Sequence, residues 1–432
     1  MKVLMFGWEF PPHISGGLGT ASYGLTKGLA EQDLEILFVM PKASGDEDTS
    51  IGNIINASDV EMPSTTSSVD EFWKNVSFLP VDSGLIPYLG LEQYAEYMQQ
   101  SDAGVNNKTF THLGGKYNFS GKYGANLMEE VMRYAYTASK IAQEHDFDII
   151  HAHDWLTYMA GIVAKRISGK PLVVHVHATE FDRSGENVNR TVYDLERLGM
   201  DHADAVVTVS DLTRNIVVNR YGIPKSRVFT VHNAVDFSER QEIEAHQKVV
   251  KEKVITFLGR ITFQKGPEYF IEAAHKVLKK YPNVRFVMAG SGDMMNQMVR
   301  RVAQLRMGTK FTFTGFLAGD DVNNMYAQSD VYVMPSVSEP FGISPLEAMR
   351  MGVPVIISKQ SGVAEVLKHA IKVNFWDIDA LADAMYGLLA YPTLKNSLKE
   401  DGTTEVNALN WFDSALKVKT IYEHILSNTL QH

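Results

Sequence analysis

A chain of 432 residues is too long for one hydrophobic core and implies two or three domains. Its formal net charge of −10 argues against a partner made of nucleic acid, whose phosphates select basic faces. The absence of cysteine excludes disulfides, thiolate nucleophiles and cysteine-ligated metals, and fits a reducing, cytoplasmic compartment.

Lys2 to Phe6 is an apolar run that reads as a buried strand and is too short for the core of a signal peptide. No apolar stretch reaches the length of a membrane-spanning helix. Gly16-Gly17-Leu18-Gly19 then leads into a helix predicted over Thr20 to Glu31. Strand, glycine loop and helix can hold a phosphate at the helix N-terminus, and the same order also makes a plain tight turn. Ile36 to Met40 is the next strand. Residues 41–124 lose the regular pattern, and a long irregular insertion in a compact domain is usually functional or mobile. Its apolar and aromatic pieces are Val76 to Val81, Leu85 to Leu89 and Tyr94 to Tyr97. The aromatics suit stacking on a sugar ring and suit packing the loop down, and both readings stand.

Regular alternation resumes with a helix over Asn126 to Glu144 and a strand over Asp148 to His151. His153-Asp154-Trp155 closes that strand, and a helix follows over Leu156 to Arg166. A strand over Leu172 to His177 precedes a helix from about Asn187 to His202. Ala205 to Val209 is a strand, Ser210 caps the helix over Asp211 to Tyr221, and Val228 to Val231 ends the series. Strands alternating with helices imply a parallel sheet covered on both faces, with ligands at the carboxyl ends of its strands. Gly17, His153, Asp154, His177, Ser210 and Asn233 all fall just beyond strands.

His151/His153 and His175/His177 are two His-x-His pairs, each on one face of its strand. Imidazole suits zinc. A hydrolytic metal site also needs carboxylate ligands and an open water position, and the sequence places neither, so no metal is assigned. His151 and His175 read as core residues, and His153 and His177 as functional ones.

Gln241 to Lys253 is polar, as befits a connection between domains or a surface helix. The pattern restarts with a strand over Val254 to Leu258, followed by Gly259-Arg260 and Lys265-Gly266, with Pro267 at the start of a helix. Arg260 and Lys265 suit a diphosphate, Arg through paired donors and Lys as a point charge. Val284 to Ala289 runs into Gly290-Ser291-Gly292, a second glycine turn. Phe311 to Gly315 is a strand whose end offers backbone to a nucleobase edge.

Asp330 to Pro335 is a further strand, and Ser336 to Met349 is the stretch that organises the chain. Glu339 lies in the strand-to-helix loop and Glu347 on the helix, with the N–H groups of Phe341, Gly342, Ile343 and Ser344 between them. Such N–H groups attract anions, whereas carboxylates accept hydrogen bonds from sugar hydroxyls. The pattern therefore fits a ligand carrying both phosphate and sugar. Strands over Val353 to Ile357 and Ile371 to Asn374 and a helix over Ile378 to Leu389 complete the second half. Trp411-Phe412 opens an amphipathic helix predicted to cross back onto the first domain.

On these residues the chain resembles the retaining nucleotide-sugar glycosyltransferases of GT-B architecture, family 4 in particular, and the related glycogen and starch synthases. The motifs are Gly16-Gly17-Leu18-Gly19, His153-Asp154-Trp155, His177, Gly259-Arg260 with Lys265-Gly266, Gly290-Ser291-Gly292, and Glu339 with Glu347. The resemblance implies two Rossmann-like, doubly wound α/β domains facing across a cleft: an acceptor-side domain over 1–238, a nucleotide-sugar-binding domain over 239–408, and a tail helix within 409–432 docked on the first. It implies transfer of a hexose, glucose first, from a nucleoside diphosphate to a sugar or α-glucan, without metal or other cofactor. Arg260 and Lys265 would hold the diphosphate. Glu339 and the N–H groups of Phe341, Gly342 and Ile343 would hold sugar and phosphate, and Glu347 the ribose. Gly17, Gly290 and Gly315 would line the donor, His177 would touch the sugar near its anomeric carbon, and Asp154 and His153 would face the acceptor side.

One departure stands out. Ile14-Ser15 precede Gly16-Gly17 where glycogen synthases usually carry Lys-Thr, which argues against ADP-glucose as donor. A nucleotide-sugar epimerase, a mannosyl or other hexosyl transferase of cell-surface polysaccharide synthesis, and a non-catalytic sugar-nucleotide-binding module remain alternatives. So does an acceptor at a membrane surface, although no basic amphipathic helix is evident.

Overall fold

Two parallel sheets divide the chain. The computed structural model describes residues 1–13, 17–62, 115–121, 124, 126–235 and 248–429. Ile14 to Gly16, the aromatic runs between Val76 and Tyr97, and residues 236–247 of the polar connection lie outside them.

The first sheet has the order β3-β2-β1-β6-β7-β8-β9. Its strands are β1 (Lys2–Phe6), β2 (Glu35–Met40), β3 (Asn53–Asn56), β6 (Ile149–His153), β7 (Leu172–Val176), β8 (Ala205–Thr208) and β9 (Val228–Thr230). The small strands β4 (Glu61–Met62) and β5 (Gly115–Lys116) pair antiparallel beside it. The residues following Pro41 are thus more regular than their polar sequence implies: Asn53–Asn56 adds a parallel edge strand. The second sheet has the order β12-β11-β10-β13-β14-β15. It comprises β10 (Lys253–Leu258), β11 (Val284–Ala289), β12 (Phe311–Gly315), β13 (Val331–Met334), β14 (Val355–Ser358) and β15 (Ile371–Val373).

Helices cover both faces of each sheet. In the first half these are α1 (Gly17–Ala30), α2 (Leu127–Glu144), α3 (Trp155–Ser168), α4 (Glu180–Ser184), α5 (Arg190–His202) and α6 (Asp211–Arg220). In the second they are α7 (Pro267–Lys280), α8 (Met295–Gln304), α9 (Asp320–Gln328), α10 (Ser344–Arg350), α11 (Val363–Val366), α12 (Ile378–Ala390) and α13 (Pro392–Asn407). The last described helix is α14 (Trp411–Thr429). Among the described residues no helix is long and apolar enough to cross a membrane.

Strand alternation explains the layering. Leu4, Phe6, Ile150, Ala152 and Val174 pack under α2 and α3, while Val3, Met5, Ile36, Val173 and Ala205 point the other way, under α1 and α14. α14 supplies Trp411, Ala415, Val418, Ile421, Tyr422 and Ile425 to that second core. Each large side chain so buried contributes about 1.5–3 kcal/mol. The helices touch closely because α1 carries Gly28 at the contact, where an added Cβ would lie 2.7 Å from the Trp411 carbonyl oxygen.

The helix expected from Asn187 begins at Arg190, capped by Asn189. Ahead of it stands a turn of helix absent from the sequence reading, α4, closed by a capping box between Thr179 and Asp182.

Candidate active site

The second sheet ends in a row of glycines. The Gly259 N–H donates to the Ala289 carbonyl at 3.0 Å, and the Gly290 N–H to the Gly315 carbonyl at 2.8 Å. Gly290 has φ +136°, and a Cβ there would lie 1.9 Å from the Gly259 carbonyl oxygen. The three strand ends thus form a bare backbone floor. Arg260 leaves this floor into solvent, and its Nη2 donates to Gln264 Oε1 at 3.4 Å. The Lys265 stem crosses Gly259, whose Cβ position lies 3.7 Å from Lys265 Cδ.

Lys265 Nζ is ion-paired with Glu339 Oε2, and Ser336 Oγ donates to the same oxygen at 3.3 Å. Glu339 is buried, and its backbone is held from both sides. Its N–H donates to the Gln360 carbonyl at 2.9 Å, and its carbonyl accepts from the Gly362 N–H at 2.9 Å. Gly342, at φ +100°, turns the chain between Glu339 and α10. The N–H groups of Phe341, Gly342 and Ile343 lie ahead of the first hydrogen bond of α10, from the Leu346 N–H to the Ile343 carbonyl (2.9 Å). Glu347 accepts from the Tyr326 hydroxyl at 3.4 Å, and burial pushes its carboxyl above the usual range. The Tyr332 hydroxyl joins the parts: it donates to the Leu258 carbonyl (3.3 Å) and shares a hydrogen bond with Ser344 Oγ (2.8 Å). Arg260, Lys265, Glu339 and Glu347 therefore gather at one end of one sheet.

From the first half, Gly17 touches this end, and His177 and Asp154 lie beyond strands of their own sheet. The Cβ position of Gly17, at the start of α1, lies 4.0 Å from Ile343 Cδ1. His177 ends β7, partly buried, and shares a 2.9 Å hydrogen bond between its Nε2 and His153 Nδ1. His153 is fully buried, so its reach is to His177 and not to an acceptor in the cleft. Burial lowers the His177 pKa to about 3, leaving the ring neutral above mildly acidic pH. Asp154 adopts φ +60°, ψ +169°, a conformation that costs a non-glycine residue on the order of 1–3 kcal/mol. Its backbone N–H donates to the His175 carbonyl (2.9 Å), and its Oδ1 accepts from the N–H groups of His177 (2.7 Å) and Ala178 (3.4 Å). Asp154 thus braces the His177 loop.

Burial raises the Asp154 pKa to about 6 from 3.8, against the opposing pull of the Arg183 charge. That difference corresponds to about 3 kcal/mol. Because the folded-state value is the higher one, the stabilisation it gives is complete below about pH 4 and is lost as pH rises through 6. Asp154→Asn keeps an acceptor for His177 and removes the buried charge. It should raise stability by about 1–3 kcal/mol at pH 8 and by nothing near pH 4, read from urea midpoints at the two pH values. An equal effect at both would show that charge burial is not the cause.

His151, His153, His175 and His177 stack on one another. Ring centroids are 4.4 Å apart within each strand and 5.2–5.4 Å apart between strands. Candidate ligand nitrogens of His151, His153 and His175 fall within 4.8 Å of one another. The planes of His151 and His153 are inclined by only 10°, and those of His151 and His175 by 16°. Among the described residues, the Nε2 atoms of His151, His153 and His175 have no hydrogen-bond partner. The stack ends at the Tyr422 hydroxyl of α14, bonded to His151 Nδ1.

Several contacts here were missed by the sequence reading. Ser338 Oγ donates to Asp182 Oδ1 across the two halves at 2.6 Å. Glu365 accepts from the Asp211 and Leu212 N–H groups at the start of α6, both at 2.8 Å, and pairs with His232 at 2.7 Å. The Thr179-x-x-Asp182 spacing is a capping signature that would have marked α4. Nothing local marks the partners across the cleft.

The comparisons with known proteins bear on the family and the fold. Residues 238–405 match the family model "Glycosyl transferases group 1", and residues 116–239 match "Glycosyltransferase Family 4". An uncharacterized glycosyltransferase of Methanocaldococcus jannaschii is 28% identical, over 86% of this chain and 84% of its own. A glycogen synthase of Mycobacterium tuberculosis is 23% identical, over 91% of this chain and 87% of its own. Anabaena HepE, solved in complex with UDP-glucose, superimposes with a TM-score of 0.64 at 17% identity, covering 99% of this chain and 100% of that one. Two parallel α/β sheets, with glycosyltransferase family models matching residues 116–405 and relatives matching most of the chain, make it a GT-B glycosyltransferase of family 4 type.

Proposed function

We propose that the protein is a retaining hexosyltransferase that moves glucose from a nucleoside diphosphate to a sugar or α-glucan acceptor, without a metal. The observation that carries this reading is the Lys265–Glu339 pair, a cation and an acid side by side at the glycine floor. In this reading the diphosphate lies on that floor between Arg260 and Lys265. Glu339 accepts hydrogen bonds from the hexose hydroxyls, Glu347 from the ribose, and Gly315 backbone meets the base. The neutral His177 hydrogen-bonds the hexose and is no general acid at pH 7, since its pKa is about 3. Asp154 and His153 act through His177.

As the bond between the anomeric carbon and phosphate oxygen breaks, charge builds on the diphosphate. Arg260 and Lys265 stabilise it there. The acceptor hydroxyl oxygen attacks the anomeric carbon from the face the diphosphate leaves, and its proton passes to the departing phosphate oxygen. Lys265 and Arg260 supply the positive charge that a divalent ion supplies elsewhere. The UDP-glucose held by HepE and the likeness to a glycogen synthase favour glucose over other hexoses. The setting this implies is a soluble, cytoplasmic enzyme.

Protection against heat unfolding by a panel of UDP-, GDP- and ADP-sugars tests the donor. A ligand at a hundred times its Kd adds about 2.7 kcal/mol to the folded state. UDP-glucose should give the largest shift and, with maltooligosaccharide, a new α-linked product in the presence of EDTA. Isomerised sugar from donor alone would make the protein an epimerase instead, and no shift with any donor would end the reading.

A further inference from the structure

The Ser338–Asp182 contact joins the two halves next to the donor site. Asp182 is 1% exposed, and its carboxylate is divided between two tasks. Oδ2 accepts from the Thr179 N–H (2.8 Å) and Thr179 Oγ1 (2.7 Å), which closes the capping box of α4. Oδ1 is left facing the other half, where it accepts from Ser338 Oγ at 2.6 Å.

The base under Asp182 is rigid. Arg183 Nε donates to Glu180 Oε2 at 3.0 Å, and its Nη2 pairs with Glu196. The Glu180 N–H donates to Glu196 Oε2 at 3.0 Å, and the Asn189 N–H donates to Glu180 Oε1 at 3.0 Å. Four contacts of one network hold a five-residue helix that its own hydrogen bonds would hold only weakly. The C-cap of the same helix meets the Lys265 turn: the Cβ position of Gly185 is 3.6 Å from the Phe263 ring. So α4 touches both segments that carry the donor-site pair, residues 263–265 and 338–339.

The Glu339 backbone is already fixed by Gln360 and Gly362 of its own half. The bond from Ser338 is therefore not needed to build the loop. What it fixes is how the wall carrying His177, five residues before Asp182, stands against the wall carrying Glu339. We propose that Asp182 is a positioning residue for hexose transfer, its carboxylate registering the His177 wall against the donor loop through the Ser338 hydroxyl. This rests on the reading of Lys265 and Glu339 as the donor grip.

Ser338→Ala is the clean test, because it leaves the Thr179–Asp182 box intact. It should lower kcat about tenfold, the size of one hydrogen bond to a charged group. The Kd for the free nucleoside diphosphate, held mainly by the second half, should stay within about twofold, while the unfolding midpoint falls only by the small amount that one lost hydrogen bond to a buried carboxylate costs. Ser338→Thr, which restores the hydroxyl, should recover kcat. Asp182→Ala combined with Ser338→Ala should be no slower than Asp182→Ala alone, as expected of partners in one bond. An unchanged kcat in Ser338→Ala, or a nucleotide affinity falling as far as kcat, overturns the proposal. These outcomes presuppose measurable wild-type transfer; a wild type without transfer would instead overturn the donor-grip reading beneath it.

Discussion

Replacing Lys265 by alanine is expected to slow hexose transfer by at least about a hundredfold, the scale of losing one preorganised contact to a developing charge. Two effects add in that variant. The departing diphosphate loses a cation, and Glu339, buried and paired with Lys265, is left without its counter-charge. A buried carboxylate with no cation either takes up a proton or pulls in water. Either change alters the acceptor offered to the sugar hydroxyls. Lys265→Ala should therefore hurt more than Arg260→Ala, since Arg260 is exposed and, among the described residues, its side chain bonds Gln264 and no acid. Lys265→Arg should restore little, because a forked guanidinium does not fit the single-oxygen contact that Nζ makes. Steady-state rates with saturating donor and acceptor check the ordering. Equal rates in Lys265→Ala and the wild type would remove the site assignment.

Gly290→Ala is expected to cost about 3 kcal/mol of stability and most of the donor affinity. A side chain at φ +136° is strained in itself, and its Cβ would stand 1.9 Å from the Gly259 carbonyl oxygen. That oxygen has no room to retreat. The Gly259 N–H is bonded to Ala289, and the Ile261 N–H to the Ser291 carbonyl at 2.9 Å, so the two strand ends are tied on both sides of the contact. If the strain is relieved at all, it is by moving Gly259, and Arg260 moves with it. Calorimetric unfolding and nucleotide titration measure the two consequences separately. A variant with wild-type midpoint and wild-type affinity would show that the floor is softer than its contacts imply.

Much of the fold was legible because strands of a doubly wound sheet are continuous buried runs. Val284–Ala289 and Val331–Met334 occupy the residues their apolar sequence marks. Asn53–Asn56 escaped because it is a short, polar, half-exposed edge strand with nothing periodic to see. α4 escaped because five residues span little more than one helical turn. At the site, sequence placed Glu339 and Glu347 on neighbouring positions of one loop and helix, a local matter. It could not place Ser338 beside Asp182, 156 residues away, or Tyr422 beside His151, 271 away. Such pairings depend on how one sheet faces another and on where a distant helix lands, and no residue's own neighbours record either.

α14 is made out of order. Every strand of the second sheet leaves the ribosome before Trp411, yet Trp411, Val418, Ile421 and Tyr422 finish a core belonging to the first. At a synthesis rate of about 5–20 residues per second, the flank formed by Leu25, Leu29, Val173 and Val207 waits roughly ten to forty seconds for its cover. Vectorial folding ordinarily matures the leading domain first; here the leading domain is the last to be sealed, and nascent-chain chaperones have an apolar target on it throughout that delay.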